Sequence, residues 1–255
     1  MLTPDQIQSY QNNGYLILPN FYNQQEINEL KSDADRLLKE LPEEKKTLND
    51  INYLIESAET IHYFFEDDRS AINKIGHGLH LCDPVFQKYT VNQKVAQLCS
   101  DLHFVKPQVL QSMLIPKVAG NLAPVPPHRD HTFLYTDPPK TIGFWIALDD
   151  ATLANGCLQF VSGSHRDLYV TKRWIRSDSS MNYIGTDPYI YTEKQFVPAE
   201  VKAGSLILIH GDVVHQSEGN SSQHSRNAYT FHVIERWRTE FLKENWLHSE
   251  QGYFE

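Results

Sequence analysis

A chain of 255 residues with 32 acidic and 23 basic side chains carries a formal charge of −9, which excludes the broad positive surface that holds phosphate backbones and argues against nucleic acid as a partner. Cys82, Cys99 and Cys157 are odd in number and lack C-x-x-C spacing, so neither a disulfide framework nor a thiolate zinc site is indicated. Met1-Leu2-Thr3-Pro4-Asp5 has no basic or apolar signal region and no segment approaches the roughly 18 apolar residues of a membrane span, so the expectation is a soluble, cytoplasmic protein with no membrane partner.

The length suits one domain across 1–255, with a helical N-terminal part to about residue 105 and a β core over about 106–240. Thr3 with Gln6 reads as a capping box, Pro4 fits the first helical position, and Gly14 stops the helix. Tyr15-Leu16-Ile17-Leu18 reads as a short strand. Asn23 with Glu26 caps a second helix, whose stripe of Ile27, Leu30, Ala34, Leu37, Leu38 and Leu41 ends at Pro42. Asp83-Pro84 opens another helical stretch, and Val95, Leu98, Cys99 and Leu102 mark a further one. Beyond about residue 107 the texture becomes short β-branched and aromatic runs between Gly, Pro and Asn, the pattern of an antiparallel sandwich or barrel. The predicted strands are Gln108 to Pro116, Thr141 to Leu148, Leu158 to Val161, Ser205 to His210 and Asn227 to Ile234. Arg166 to Pro198 is polar and reads as a long excursion over one mouth of the sheet, in the manner of a lid.

Within the β region, Pro126-Pro127 precedes His128-Arg129-Asp130. The prolines favour extended backbone, in which residues i and i+2 share a face, so His128 and Asp130 can ligate one ion while Arg129 points away. A second triplet, His165-Arg166-Asp167, has the same spacing but follows Ser162-Gly163-Ser164, where a turn or supporting role is the simpler reading. A third ligand could come from His210, His215, His224 or His232. His215 is preferred because it follows the apolar run Leu206-Ile207-Leu208-Ile209 and the Gly211-Asp212 turn, placing it at a strand edge that faces a mouth. Two imidazoles and one carboxylate on one side of a metal leave the opposite positions open, the arrangement of non-haem Fe(II) oxygenases.

Arg226 stands before Asn227-Ala228-Tyr229-Thr230-Phe231, and strand alternation puts Arg226, Ala228 and Thr230 on one face. If that face is interior, the guanidinium needs an anion, either a protein carboxylate or a bound dicarboxylate.

Matches to a known family are spread over nearly the whole chain. They include Ile72-Asn73-Lys74-Ile75-Gly76-His77, Gln111-Ser112-Met113, His128-Arg129-Asp130 with Phe133-Leu134-Tyr135-Thr136, Trp145-Ile146-Ala147, the run from Asp150 to Leu158, Gly163-Ser164-His165, His210-Gly211 with Val213-Val214-His215, and Arg226 with Ala228-Tyr229-Thr230-Phe231-His232. In these segments the chain resembles the phytanoyl-CoA dioxygenase family. The resemblance implies an α+β fold built on a double-stranded β-helix, or jelly roll, of cupin type with flanking helices. It implies Fe(II) held by His128, Asp130 and His215, 2-oxoglutarate and O2 as cosubstrates, and Arg226 on the distal carboxylate. The remaining cosubstrate contacts of the family fall on Lys74, Met113, Trp145 and Ser217. Each also has a plainer role open to it: Lys74 as a solvated cation, Trp145 as core, Met113 as a gap filler, Ser217 as a turn cap.

The function expected on this resemblance is hydroxylation of a small carboxylate or acyl conjugate by a monomeric dioxygenase, with release of succinate and CO2. Retention of the Asp130 carboxylate disfavours halogenation. A non-catalytic jelly roll that binds metal or 2-oxoglutarate is the competing reading, and a structural zinc or nickel cupin is a third. Coenzyme A carries several phosphates, whereas the chain offers one modest basic cluster, Lys172-Arg173-Trp174-Ile175-Arg176, either a substrate grip or a solvated loop. Tyr63-Phe64-Phe65 reads either as mouth wall or as core, and the chain is short against the family pattern between Phe65 and Ile72, beside the entrance.

Overall fold

The computed structural model describes residues 1–167, 169–177 and 180–254. Eight strands form the larger sheet, in the order Tyr15–Leu18, Leu206–His210, Thr141–Ala147, Arg226–Glu235, Pro107–Lys117, Ile72–His77, Ile61–Phe65 and Lys46–Thr47. Four more form a smaller antiparallel sheet, Phe196–Ala199, Leu158–Val161, His215–Ser217 and Val125–His128. The two face each other as a jelly roll that does not close into a barrel.

Period-two alternation explains why the central strands read as unbroken apolar runs. Trp145, Ala147, Ile207, Ile209 and Ala228 point inward and pack with Leu158 and Phe160 of the smaller sheet. Their neighbours Phe144, Ile146, Leu206, Leu208, Tyr229 and Phe231 point outward, beneath the helical stripe of Ile27, Leu30, Ala34 and Leu37. Each strand is therefore buried on both faces, and burying a large aliphatic or aromatic side chain contributes about 1.5–3 kcal/mol.

The helices Pro4–Asn13 and Gln24–Lys39 both carry complete capping boxes, at Thr3/Gln6 and Asn23/Glu26. The second ends at Lys39, so Leu41 lies outside it and is exposed. Asp83 caps Pro84–Thr90, and Asn92 caps Gln93–Asp101. The N-terminal part also supplies four strands to the larger sheet. Phe64 and Phe65 among them are core residues. A tight turn with Glu66 N–H donating to Ala71 O at 2.9 Å closes the short Phe65 to Ile72 interval.

The predicted excursion contains a two-stranded ribbon, Arg173–Ser177 paired with Ser180–Ile184, outside both sheets. Trp174 seats it against Phe133 and Trp246, with ring centroids 5.7 and 5.6 Å away. Leu168, Asp178 and Ser179 of that interval lie outside the described residues. No helix among the described residues is long and apolar enough to cross a membrane.

Candidate functional site

Strand pairing sets His215 directly opposite His128 on the smaller sheet, with ring centroids 4.2 Å apart. Pro126 and Pro127 are tolerated because Val125–His128 is the edge strand, where a missing N–H breaks no ladder bond. Arg129 continues the extended backbone at φ −117°, ψ 131°, which brings Asp130 to the same side as His128. One ligand atom from each of His128, Asp130 and His215 lies within 4.8 Å of the others. His128 Nε2 and His215 Nε2 are each 3.6 Å from Asp130 Oδ1. That is too long for a hydrogen bond and close to what two ligands at about 2.0–2.2 Å from one ion span.

Ring orientation is fixed behind the cluster. His128 Nδ1–H donates to the Pro126 carbonyl at 2.8 Å and His215 Nδ1–H to the Val213 carbonyl at 3.1 Å. Both Nε2 lone pairs are thereby left facing the carboxylate, the tautomer that metal ligation requires. Burial, followed by His215, pushes His128 down to about 4, keeping it a neutral donor. Burial opposes ionisation of Asp130, yet His232, His215 and His128 outweigh it and hold the carboxyl below the usual range. The donor set therefore fits a divalent transition metal.

Two side chains outside the triad tie its halves together. His131 Nδ1–H donates to Asp212 Oδ1 at 2.9 Å, while His131 Nε2 accepts from Thr136 N–H at 3.1 Å. This pins the Asp130 turn to the bend preceding His215. Arg129 does point away from the metal face, but into the protein. It is 2 % exposed, and it holds Asp167 at 2.9 Å, Asp187 at 3.0 Å and the Tyr191 hydroxyl at 2.7 Å. The residue between two candidate ligands is thus the anchor of the excursion.

Beside the cluster lies a cavity of about 130 Å³, also lined by Lys74, Met113, Trp145, Ser217 and Arg226. All eight residues singled out in the sequence meet there. Arg226 is 1 % exposed, and its only hydrogen bond among the described residues runs from Nη2 to Gly156 O at 2.8 Å. Among the described residues its Nε and Nη1 have no partner, and neither has the buried Ser217 hydroxyl. Trp145 covers the guanidinium at 5.4 Å. Burial pushes Arg226 down to about 10 and, with Arg226 next, Lys117 down to about 8. A buried arginine with two idle donors calls for a planar anion, and a dicarboxylate fits.

Lys117 escaped the sequence reading because a lysine in a strand reads as solvent-facing. It is buried and donates to the carbonyls of Glu218 at 2.6 Å and Ala123 at 3.3 Å. Gly156 makes room for it, since a Cβ there would come within 2.9 Å of Lys117 Cδ and φ is +79°. Of the other distal candidates, His224 is exposed and His210 lines a separate cavity behind the sheet. His232 lies beside Asp130.

Solved structures share this architecture. The chain aligns over its full length with 97 % of the carbocyclase SnoK from nogalamycin biosynthesis, at TM-score 0.73 and 16 % identity. Over 92 % of its length it aligns with 76 % of EctD from S. alaskensis, solved with 2-oxoglutarate and 5-hydroxyectoine, at TM-score 0.70 and 19 % identity. These likenesses establish the fold. Sequence relatives add the chemistry: the chain is 42 % identical over 267 residues to the Arabidopsis thaliana phytanoyl-CoA dioxygenase, covering 96 % of this chain and 93 % of the relative. To phytanoyl-CoA dioxygenase domain-containing protein 1 of Danio rerio it is 37 % identical, covering 98 % and 96 %. By class the protein is a 2-oxoglutarate-dependent non-haem iron dioxygenase. The family model for phytanoyl-CoA dioxygenase (PhyH) matches residues 10–228, and the chain belongs to that family.

Proposed function

We propose that the protein hydroxylates a C–H bond of a small carboxylate or acyl conjugate, with 2-oxoglutarate converted to succinate and CO2. The observation that carries this reading is the pairing, in one cavity, of a His-Asp-His cluster with an arginine that has two unpartnered donors. His128, Asp130 and His215 would hold Fe(II), and Arg226 with Ser217 would receive the distal carboxylate of 2-oxoglutarate. Bound iron and keto acid supply the oxidising chemistry, one oxygen atom of O2 going to succinate and the other to the substrate. The chain contributes position. Trp145 and Met113 would offer apolar contact for the carbon chain, and Lys74, which lines the same cavity, would meet a carboxylate oxygen. Enclosure excludes competing water.

A cavity of about 130 Å³ suits the cosubstrate and falls below the about 300–1,000 Å³ of sites that enclose drug-sized ligands. The substrate therefore reaches the metal from outside it. The basic cluster offers little to a polyphosphate, because Arg173 stacks over Tyr135 at 3.2 Å and Lys172 over Tyr183 at 4.6 Å. A carboxylate is better matched than coenzyme A.

The deciding experiment is anaerobic titration of the metal-free protein with Fe(II) and then 2-oxoglutarate, followed by a substrate screen reading succinate. A visible charge-transfer band that is lost in His215→Ala is expected. A band without succinate under any condition would leave a binder in place of an enzyme.

A further inference from the structure

The Asp130 carboxylate has two oxygens, and the cluster uses one. Oδ1 faces both imidazoles at 3.6 Å, whereas Oδ2 is turned the other way, 3.2 Å from His232 Nε2. His232 is 5 % exposed and belongs to the Arg226–Glu235 strand. Its far nitrogen, Nδ1, accepts from Gln111 Nε2 at 3.0 Å, and Gln111 sits opposite it in the neighbouring strand. An imidazole that accepts at Nδ1 carries its proton at Nε2, so Gln111 selects the tautomer that presents an N–H to the carboxylate.

The contact with Oδ2 is electrostatic, without the alignment of a full hydrogen bond, and that oxygen has no other donor among the described residues. Space for it comes from Gly143, where a Cβ would stand 3.1 Å from Oδ2 and 3.5 Å from His232 Cδ2. Three adjacent strands of the larger sheet thus cooperate on one oxygen of a residue in the turn that follows the edge strand of the smaller sheet.

We infer that His232, oriented by Gln111, is a positioning residue that engages Oδ2 of Asp130 and leaves Oδ1 alone to bind the metal. A carboxylate held in this way ligates through one oxygen and keeps a further coordination position free. Without the N–H, the carboxylate can turn or chelate through both oxygens. Loss of such an outer partner lowers metal affinity about 10–100-fold. This inference rests on the assignment of the His-Asp-His cluster as the iron site.

The test measures Fe(II) affinity by competition with a chromogenic chelator, anaerobically and without substrate, in wild type, His232→Phe, His232→Gln, Gln111→Leu and Asp130→Ala. His232→Phe is expected to bind about 10–100-fold more weakly, and Gln111→Leu to fall between it and wild type. His232→Gln places an amide N–H near the imidazole nitrogen and is expected to stay within about threefold of wild type. Unchanged affinity in folded His232→Phe would overturn the inference. So would a loss in His232→Gln as large as in His232→Phe, which would make ring packing the cause. If His232→Phe fails to fold, the glutamine variant and Gln111→Leu decide. Failure of wild type to bind Fe(II) more tightly than Asp130→Ala would instead remove the iron site itself.

Discussion

His128-Arg129-Asp130 and His165-Arg166-Asp167 share a spacing and part company at the backbone. The first runs through extended dihedrals off an edge strand, so its imidazole and carboxylate land on one side, within reach of His215. The second passes through the 3-10 turn Ser164–Arg166, where residues two apart diverge by roughly 120° around the axis. His165 Nε2–H donates to the Gln11 carbonyl at 2.9 Å, and Asp167 goes to Arg129 at 2.9 Å. Spacing alone therefore carries no metal site; the same spacing converges a His and an Asp when it runs off an extended strand and separates them in a turn. The two triplets also touch, because the arginine of the first holds the aspartate of the second.

Substitution offers the sharpest way to break that comparison. Asp130→Ala and His215→Ala should each reduce 2-oxoglutarate turnover by at least about a thousand-fold, since ligands that act as one unit fail together. Asp167→Ala removes one of several partners of Arg129 and should stay within about tenfold. Succinate release under saturating iron measures both, and equal losses at Asp130 and Asp167 would reverse the assignment.

Arg226 separates function from stability. Arg226→Met should raise the 2-oxoglutarate concentration for half-saturation about 100-fold, or about 2.7 kcal/mol. The same change removes a buried guanidinium with two idle donors, so the ligand-free protein should gain about 1–3 kcal/mol in chemical denaturation. A loss of stability would mean that Arg226 is satisfied within the protein and is not waiting for an anion.

Arg129 tests the bridge between the triplets. Its partners Asp167 and Asp187 are about a quarter exposed, so Arg129→Met should cost near the low end of the about 3–5 kcal/mol for breaking a buried pair. Limited proteolysis should then cut faster between 169 and 190, with 2-oxoglutarate binding nearly unchanged. Unaltered proteolysis would show that the Trp174 packing alone holds the ribbon.

Central strands and caps were legible because their signals are local: Leu206-Ile207-Leu208-Ile209 is buried on both faces, and Thr3/Gln6 and Asn23/Glu26 are self-contained boxes. Ile72–His77 was missed since Asn, Lys and Gly are poor strand formers, and its strand character comes from pairing with its neighbours. His215–Ser217 is too short to show a period. At the site, His-x-Asp and the family resemblance picked out eight of the residues that line the cavity. The roles of Arg129, His131, Asp212 and Lys117 escaped because they depend on partners far away in the chain, and a charged residue in a strand reads as solvated until both faces are seen to be covered; His232 was weighed only as a possible third ligand, not as a neighbour of Asp130.

Acid should act on the second region before it acts on the fold as a whole. His165 and His210 stand 4.9 Å apart behind the sheet, and burial pushes both down, His210 to about 4. Asp212 draws His210 upward while His165 and His131 oppose it, and the net shift is downward. Folded His210 therefore binds fewer protons than its unfolded form, which titrates near about 6.5. Stability from this group is full above pH about 6.5 and is lost as pH falls through about 4, a slope set by the proton difference between states. Denaturation midpoints at pH 7.5, 6 and 4.5 should decline in wild type and decline less in His210→Gln, which has no proton to gain. A parallel decline in both would move the acid sensitivity to other buried imidazoles, such as His80, which burial also pushes down to about 4.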